Sequence, residues 1–238
     1  MKNQDHITFV IDFDSTFVRV ETLDELASVA LSGNPNRKKI VEDISGITRL
    51  GMEGIITFDE SLRRRIALLT AHKNHIRKLV KQLTEKISPS IKRNKLFFEK
   101  HGSRIFILTG GFREIAAPIV KPFGIPEKNI FANDFIYDEK GNVTGFDTGN
   151  KLAKEGGKME IIRSLKLKGN IFVLGDGHTD YQIREAGLAS KFFAFTENVC
   201  RESVARKADH AVANFEEFLK LTDEFSLPKE SLRNQIAS

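Results

Sequence analysis

The chain has 238 residues, of which 40% are hydrophobic and 29% are charged, as in an ordinary soluble globular protein. This length allows one compact domain, or a core domain with a smaller insertion. The net charge of +5 is modest, and no recognised nucleic-acid-binding motif accompanies it, so we expect no nucleic-acid partner. A single cysteine, Cys200, excludes an intrachain disulfide framework.

Nothing in the sequence is typical of a membrane or secreted protein. The apolar runs, such as residues 105–108, are far shorter than a bilayer crossing requires. The first residues show no signal-peptide pattern. We therefore expect a cytoplasmic protein without a membrane partner, present as a monomer or homodimer.

Short apolar runs predict strands that are buried on both faces of a sheet. They lie at residues 7–13, 104–108, 170–174 and 191–195. Helix-like stretches follow the second and third of these runs, which predicts βαβ units and a parallel sheet. Ligands bind such sheets beyond the carboxyl ends of the strands, so the polar residues at those ends are the candidates for a site.

Residues 22–86 show helical rather than strand patterns. Phe58, Leu62 and Ile66, for example, follow one another at nearly helical spacing. Helices are predicted at residues 23–31, 37–50, 58–71 and 75–86. The pattern predicts a helical insertion after the first strand. Further along, residues 129–147 predict a β-hairpin with its tip at 139–142.

The first strand ends in Asp12-Phe13-Asp14. Because side chains alternate along a strand, both carboxylates point to one side of the sheet. Two close carboxylates repel each other unless a cation or a proton lies between them, and Mg²⁺ binds carboxylates together with substrate phosphate. One carboxylate could attack phosphorus while the other protonates the leaving oxygen. Taken alone, the motif is more typical of a solvated turn.

Two later segments offer groups for phosphate. Thr109 and the glycines after it, including Gly110, supply a hydroxyl and open backbone N–H groups at a predicted strand-to-helix turn. A threonine N-cap is the alternative interpretation. Lys158 precedes a predicted helix and could neutralise a phosphoryl group, although Lys151 and Lys154 are nearby competitors and a surface lysine is the default.

The third predicted strand leads into Gly175-Asp176-Gly177-His178-Thr179-Asp180. Here Asp176 could ligate a metal, and Asp180 could hold the lysine or complete the outer shell. Such turns are common in plain loops. Three of the four segments follow predicted strands of one sheet, however, and this shared context argues against a chance match.

The ordered set resembles the haloacid dehalogenase-like phosphatases, whose motifs are DxDx[TS], a Ser or Thr, a Lys and GDxxxD. The resemblance implies an α/β fold with a doubly wound, Rossmann-like parallel sheet and a small helical cap inserted after the first strand. We accordingly predict a catalytic core at residues 1–20 and 87–238 and a cap domain at residues 21–86. The resemblance also implies that Asp12 is the nucleophile and that Asp14 is the general acid and base.

The same resemblance implies a set of ligands for Mg²⁺ and phosphate. Mg²⁺ would bind the carboxylates of Asp12 and Asp176 and the backbone carbonyl of Asp14. Thr109, Gly110 and Lys158 would bind the phosphoryl group. Asp180 would support them.

Over residues 8–219 the chain is more specifically similar to the phosphoserine phosphatase family. The similarity lies in DFDSTFVRVETLDELA at residues 12–27 and MEGIITFDESLRRRIALL at residues 52–69, and it continues at 131–147 and 156–161. The last segment favours Lys158 over Lys151. The implied reaction is Mg²⁺-dependent hydrolysis of O-phospho-L-serine, a small phosphomonoester, through an aspartyl-phosphate on Asp12.

The resemblance also assigns the walls of the substrate pocket. Glu21 would face the substrate ammonium and Arg65 its carboxylate, while Met52 and Phe58 would line the pocket. These roles are physically sound, because a zwitterion needs opposite charges on opposite walls and arginine can hold a carboxylate through two hydrogen bonds. A surface salt bridge is the alternative for Glu21 and Arg65.

Four positions depart from the family pattern. Thr22 replaces a usual glycine beside the substrate glutamate, and Thr109 replaces a usual serine. His178 and Tyr181 occupy positions that are usually small and apolar. For His178 we favour simple exposure over a role in proton transfer. The departures bear on the substrate more than on the chemistry.

Two alternatives remain at this point. The same chemistry could act on a related small phosphomonoester, or it could transfer the phosphoryl group to an alcohol such as homoserine. A phosphate- or nucleotide-binding module without catalysis belongs to a different class. The presence of Asp12, Asp14 and Lys158 argues against that second alternative.

Overall fold

The computed structural model describes residues 7–226. Its strands are β1 (Ile7–Ile11), β2 (Ile105–Phe112), β3 (Ile130–Asn133), β4 (Phe135–Tyr137), β5 (Val143–Phe146), β6 (Asn170–Gly175), β7 (Lys191–Phe195) and β8 (His210–Val212). Six of them form a parallel sheet in the order β3-β2-β1-β6-β7-β8, and β4 pairs with β5 as an antiparallel hairpin.

The α-helices in the described residues alternate with these strands or lie between β1 and β2. They are α1 (Thr22–Ala30), α2 (Arg37–Met52), α3 (Phe58–Leu68), α4 (Lys73–Leu83), α5 (Pro89–Arg93), α6 (Lys95–His101), α7 (Arg113–Val120), α8 (Gly157–Leu165), α9 (His178–Glu185), α10 (Glu202–Ala205) and α11 (Phe215–Ser226). None of them combines the length and the apolar composition that a bilayer crossing requires.

Alternate residues of the central strands belong to two separate hydrophobic cores. Phe9 and Ile11 of β1 pack in one core, while Val10 between them packs in the other. The first core contains Ile115 of α7, and the second contains Ile183 of α9. Helices therefore cover both faces of the sheet. Together with the strand order, this confirms the predicted doubly wound, Rossmann-like α/β fold.

The segment after β1 is helical, as predicted, and carries α1 to α4. Helix α2 packs against α1 and α3, while α4 packs against both α1 and α7. Helix α3 begins after Thr57, whose hydroxyl accepts a hydrogen bond from the Glu60 backbone N–H at 3.4 Å. The domain boundaries at residues 20/21 and 86/87 stay predictions. The outer bounds of the predicted core, residues 1 and 238, lie outside the described residues.

Several local predictions differ from the structure. Strand β8 was not predicted, and β3 belongs to the parallel sheet, so the predicted hairpin at residues 129–147 shrinks to β4 and β5. Strand β2 continues through Thr109 and its two glycines to Phe112, which is itself the N-cap of α7. Thr109 therefore lies in a strand, and its interpretation as an N-cap is wrong.

Candidate active site

The site begins where β1 and β6 end side by side. The Asp12 backbone N–H donates to the Leu174 carbonyl at 2.9 Å, which continues the pairing of the two strands. Asp176 follows β6 in the same way. This is the point where the strand order reverses, the position at which doubly wound sheets bind ligands.

Three carboxylates cluster at this point, and one lysine bonds to two of them. Oxygens of Asp12, Asp176 and Asp180 lie within 4.8 Å of one another, and all three side chains are buried. Lys158 Nζ donates to Asp12 at 2.7 Å and to Asp180 at 2.6 Å. Burial favours the neutral amine, but these two carboxylates outweigh it and raise the pKa of Lys158 above its ordinary value.

Lys158 is the lysine that reaches the carboxylates. Lys151 and Lys154, the competitors considered from the sequence, are exposed, and Lys151 pairs with Glu160 at 3.6 Å. Helix α8 begins at Gly157, where an added Cβ would lie 2.0 Å from the Lys151 carbonyl oxygen. Only glycine fits there, and this close packing places Lys158 over the sheet edge.

Asp14 lies beside the nucleophile candidate but outside the three-carboxylate cluster. Its Oδ1 accepts a hydrogen bond from the Thr22 backbone N–H at 2.8 Å, and its Oδ2 accepts one from the Thr109 hydroxyl at 3.5 Å. Burial raises the pKa of Asp14 to about 7, with Glu21 and Asp12 acting in the same direction. A carboxyl group with such a pKa can both donate and accept a proton near neutral pH.

The donor set fits a divalent cation. Burial raises the pKa of Asp176 well above its usual range; Arg201 opposes this effect, and the neighbouring carboxylates Asp12 and Asp180 add to it. Buried carboxylates of this kind are ligands for Mg²⁺. The charged side chains that meet around the site are five carboxylates (Asp12, Asp14, Glu21, Asp176, Asp180) and three cations (Arg65, Lys158, Arg201). Carboxyl groups therefore outnumber cations around the site, which suits a bound cation.

A cavity joins these groups to the helical insertion. Asp12 and Asp14 form part of its core wall. The remaining sequence-predicted residues that line it are Glu21, Met52, Phe58, Arg65, Thr109, Gly110 and Lys158. Of the predicted site residues, only Asp176 and Asp180 are not part of the lining, and they lie behind Asp12 in the carboxylate cluster.

The cap side of the cavity carries one buried cation. Arg65 lies one turn after Ser61 on α3, is 5% exposed, and donates from Nε to the Ser61 carbonyl at 3.3 Å. Burial lowers the pKa of Arg65 below its ordinary value. Within residues 7–226, no carboxylate lies within 4.0 Å of its guanidinium to form an ion pair. Arg65 is thus not the surface salt bridge considered as an alternative.

Phe58 closes the cavity over the core. A Cβ added to Gly110 would lie 2.4 Å from the Phe58 ring, so the ring packs directly on that glycine. The Phe58 backbone N–H donates to Glu155 Oε2 at 2.7 Å, and Gln182 of α9 donates to Glu155 Oε1 at 2.8 Å. Glu155 therefore ties the first turn of α3 to the core. The sequence analysis missed this contact.

Arg201 is the second residue that the sequence analysis missed. It follows β7 and donates to both Asp176 and Glu21. The sequence did point to Arg201, because β7 was predicted and polar residues beyond the carboxyl end of a strand are candidates for a binding site. The segment after β7 matched none of the motifs, however, and was not considered.

The positions that depart from the family pattern are not all in the cavity. Thr22 is 1% exposed and is not among the lining residues described here. His178 is half-buried rather than simply exposed, and its ring lies against Gly54 between α2 and α3, where an added Cβ would be 2.9 Å from the ring. Tyr181 packs beside Phe192 in the second hydrophobic core.

Comparisons with known proteins identify the family. The model of the haloacid dehalogenase-like hydrolase family matches residues 9–185. The chain is 30% identical over 211 residues to phosphoserine phosphatase of Homo sapiens, which covers 87% of this chain and 89% of that protein. It is 32% identical over 194 residues to phosphoserine phosphatase of Methanocaldococcus jannaschii, covering 78% and 84%.

Solved structures share the fold. A phosphoserine phosphohydrolase-like protein from Francisella tularensis superposes with a TM-score of 0.82 at 30% identity, covering 91% of this chain and 99% of that one. A phospho-aspartyl intermediate analogue of phosphoserine phosphatase superposes with a TM-score of 0.72 at 26% identity, covering 90% and 97%. From the family match and these relatives, the chain belongs to the haloacid dehalogenase-like hydrolase family.

Proposed function

We propose that this protein hydrolyses O-phospho-L-serine to L-serine and phosphate, the last step of phosphorylated serine biosynthesis, through an aspartyl-phosphate on Asp12. The observation that carries the proposal is a single cavity with two kinds of wall. Asp12 and Asp14 lie on the core wall, and Glu21 and Arg65 offer opposite charges for an amino-acid head group. The similarity to phosphoserine phosphatases over most of the chain supports the same substrate.

In the first step, a carboxylate oxygen of Asp12 attacks phosphorus. The Asp12–phosphorus bond forms as the bond from phosphorus to the serine oxygen breaks, and Asp14 gives its proton to that oxygen. Lys158 and the Thr109 hydroxyl hold the phosphoryl oxygens and offset their charge. L-Serine then leaves.

In the second step, Asp14 takes a proton from water, and the water oxygen attacks phosphorus. The bond to Asp12 breaks, so phosphate leaves and both carboxyl groups return to their starting states. A pKa of about 7 for Asp14 suits this alternation between acid and base. The Phe58 ring packs on Gly110, and we expect this contact to limit the access of bulk water to the aspartyl-phosphate.

The proposed cofactor is Mg²⁺, held by the carboxylates of Asp12 and Asp176 and by the backbone carbonyl of Asp14. When bound, it offsets negative charge on the phosphoryl group and between the carboxylates. We further propose a small-molecule phosphomonoester substrate without a nucleic-acid or membrane partner, a cytoplasmic location, and a monomeric or homodimeric state.

The test is phosphate release from L-phosphoserine, phosphothreonine, phosphoethanolamine and a sugar phosphate, each with Mg²⁺ and with EDTA. The proposal expects a strong Mg²⁺-dependent preference for phosphoserine. Preference for another ester would retain the chemistry and reject the substrate. No release from any ester by folded protein would reject hydrolysis, and added homoserine would then test phosphoryl transfer.

A further inference from the structure

A fully buried asparagine at the end of β3 contacts two segments of the proposed phosphate site. Asn133 is 0% exposed, and its Nδ2 donates to the Gly110 carbonyl at 2.9 Å and to the Leu152 carbonyl at 3.1 Å. Gly110 lies near the end of β2 and lines the cavity, while Leu152 lies in the turn that precedes α8. One side-chain amide therefore joins the two parts of the chain that carry Thr109 and Lys158.

The Asn133 amide satisfies its donors and leaves its acceptor unpaired. Both partners are carbonyl oxygens, which can only accept, so the NH2 group must face them. Within residues 7–226, the Oδ1 atom of Asn133 is buried and has no hydrogen-bond partner. A buried acceptor without a partner costs free energy, so its presence calls for an explanation other than stability. The explanation lies in what the two donated hydrogen bonds hold.

The first hydrogen bond fixes the peptide that joins Gly110 to Gly111. Asn133 donates to the carbonyl oxygen of this peptide, and the peptide N–H donates to the Thr109 hydroxyl oxygen at 2.8 Å. A peptide between two glycines turns readily, because neither residue has a Cβ to restrict it. Contacts at both edges keep it in place, with the Thr109 oxygen as its acceptor. The hydroxyl hydrogen then points away from this N–H, toward Asp14 Oδ2 at 3.5 Å and the cavity.

The second hydrogen bond fixes the turn that supports Lys158. Leu152 is held at both backbone groups, since its carbonyl accepts from the same amide and its N–H donates to Asn150 Oδ1 at 3.0 Å. Helix α8 packs on this turn at Gly157, where an added Cβ would lie 2.0 Å from a carbonyl oxygen of the turn. Lys158 is the next residue, so a shift of the turn would move its ammonium group.

We propose that Asn133 is a positioning residue, which holds the end of β2 and the turn before α8 at a fixed separation so that Thr109 and Lys158 meet one phosphoryl group. This role rests on the proposed function, because it requires a ligand that carries a phosphoryl group. Asn133 is not among the residues that line the cavity, so it acts on a ligand through the two segments that it holds.

A second buried asparagine, at the opposite end of β3, offers a matched control. Asn129 directly precedes β3 and is 3% exposed. Its Nδ2 donates to three carbonyls at or just before the start of β2, including that of Ile105 at 2.9 Å. Because β2 and β3 are parallel, these carbonyls lie at the edge of the sheet opposite the site. Loss of either amide leaves buried carbonyls unpaired, but only Asn133 borders the phosphate-binding segments.

The test uses inorganic phosphate as the probe. Phosphate is titrated as a competitive inhibitor of p-nitrophenyl phosphate hydrolysis in Mg²⁺, and its binding is measured independently by isothermal titration calorimetry. The proteins are wild type, Asn133→Leu, Asn133→Ala and Asn129→Leu. Leucine has the branched shape of asparagine but no hydrogen-bond donor, so both leucine variants remove the same kind of contact at opposite ends of one strand.

We expect Asn133→Leu to raise the inhibition and dissociation constants of phosphate about tenfold and to lower kcat for L-phosphoserine by a similar factor, as for a displaced positioning contact. The kcat/KM ratio of L-phosphoserine to phosphoethanolamine should change by less than about twofold, because Arg65 lies on the distant cap wall. Asn129→Leu should lower Tm as much as Asn133→Leu does, since both leave carbonyls unpaired, yet phosphate binding should be unchanged.

Two outcomes would overturn the inference, and they are distinguishable. If wild-type protein neither hydrolyses a phosphomonoester nor binds phosphate, the proposed function fails and the role of Asn133 fails with it. If wild-type protein binds phosphate and Asn133→Leu weakens that binding no more than Asn129→Leu does, Asn133 only stabilises the fold. Should Asn133→Leu fail to fold, as judged by circular dichroism, Asn133→Ala removes the amide without adding volume, and unchanged phosphate binding in that variant would overturn the role as well.

Discussion

Two buried cations lie on opposite walls of the cavity, and they differ in their partners. Lys158 on the core wall donates to two carboxylates, Asp12 and Asp180. Arg65 on the cap wall is equally buried, yet no carboxylate within residues 7–226 lies close enough to form an ion pair with it. A buried charge is costly unless it is paired.

The difference indicates a division of labour. The core wall is assembled before substrate arrives, so its charges can stabilise the reacting phosphoryl group without rearrangement. Under the proposed function, Arg65 on the cap wall supplies a positive charge for an anionic group of the ligand, while Glu21, Asp24 and Asp14 act on it without forming an ion pair. Under the proposed function, the core carries out the chemistry and the cap selects the head group, and the predictions below test that separation.

The largest effect is expected on the core wall. Asp12→Asn should lower kcat by about 10⁴-fold or more on every phosphomonoester, as when a catalytic nucleophile is removed. Phosphate release and circular dichroism check this, because folding should be intact. Asp43→Asn is the control, since Asp43 is exposed on α2. Turnover that survives in Asp12→Asn would place the nucleophile elsewhere.

The charges of the core wall should also make stability depend on pH. Asp14 and Asp180 each have a folded pKa of about 7, raised mainly by burial, whereas the pKa of an unfolded Asp is about 3.9. Between these values the folded state binds more protons than the unfolded state, so stability falls as pH rises. Without metal, we expect Tm to fall by roughly 5 °C or more from pH 5 to pH 8.

Mg²⁺ should reduce this fall, because it favours the ionised carboxylates. Thermal unfolding followed with Mg²⁺ and with EDTA across the same pH range makes the comparison. The same change of Tm with pH in Mg²⁺ and in EDTA would contradict a metal site among these carboxylates.

The contact between cap and core can be broken from the core side. Gly110→Ala would place a methyl group 2.4 Å from the Phe58 ring, so the cap should pack less closely over Asp12. We expect kcat/KM to fall about tenfold for all substrates alike, a loss typical of a displaced positioning contact. Gly145→Ala is the control, because an added Cβ there meets nothing within 4 Å.

A second substitution shows whether the Phe58 ring causes that loss. In a Phe58→Ala background the added methyl group has space, so Gly110→Ala should lower kcat/KM by a smaller factor than it does in the wild type. An equal loss of kcat/KM in both backgrounds would mean that the effect comes from a change in strand β2 and not from the Phe58 ring.

The smallest effect is expected at Glu155. Glu155→Ala removes the carboxylate at the start of α3 and should raise KM about threefold at low salt, as for an exposed charge at a helix N-terminus. The effect should shrink at high salt because exposed charges are screened. Glu160→Ala is a suitable control, since Glu160 is also exposed. A large effect that salt does not change would assign Glu155 a direct role in catalysis.

Much of the site could be predicted because the chemistry lies at the carboxyl ends of parallel strands. Asp12 and Asp176 directly follow runs of buried residues, and Thr109 lies near the end of a third run. A pattern that identifies the strands therefore also identifies these positions. The pocket residues of the insertion came from the resemblance, not from periodicity.

The remaining features depend on contacts that sequence patterns do not carry. Strand β8 has three residues, too few to show a period, and β3 runs almost directly into the hairpin. Arg201 meets Glu21 across 180 positions of sequence, so only the fold brings them together. The strand character of Thr109 to Phe112 was hidden by two glycines, which usually mark a turn.

The most direct test of the division of labour is the selectivity of Arg65→Ala. We predict that kcat/KM for L-phosphoserine falls by about 10²-fold, as expected when a buried arginine loses its carboxylate partner. Phosphoethanolamine and p-nitrophenyl phosphate, which lack that carboxylate, should change by less than about threefold, and Arg64→Ala on the exposed face of α3 should change none of them. Equal loss on all three substrates would contradict the account, because Arg65 would then serve the chemistry or the fold and not the head group.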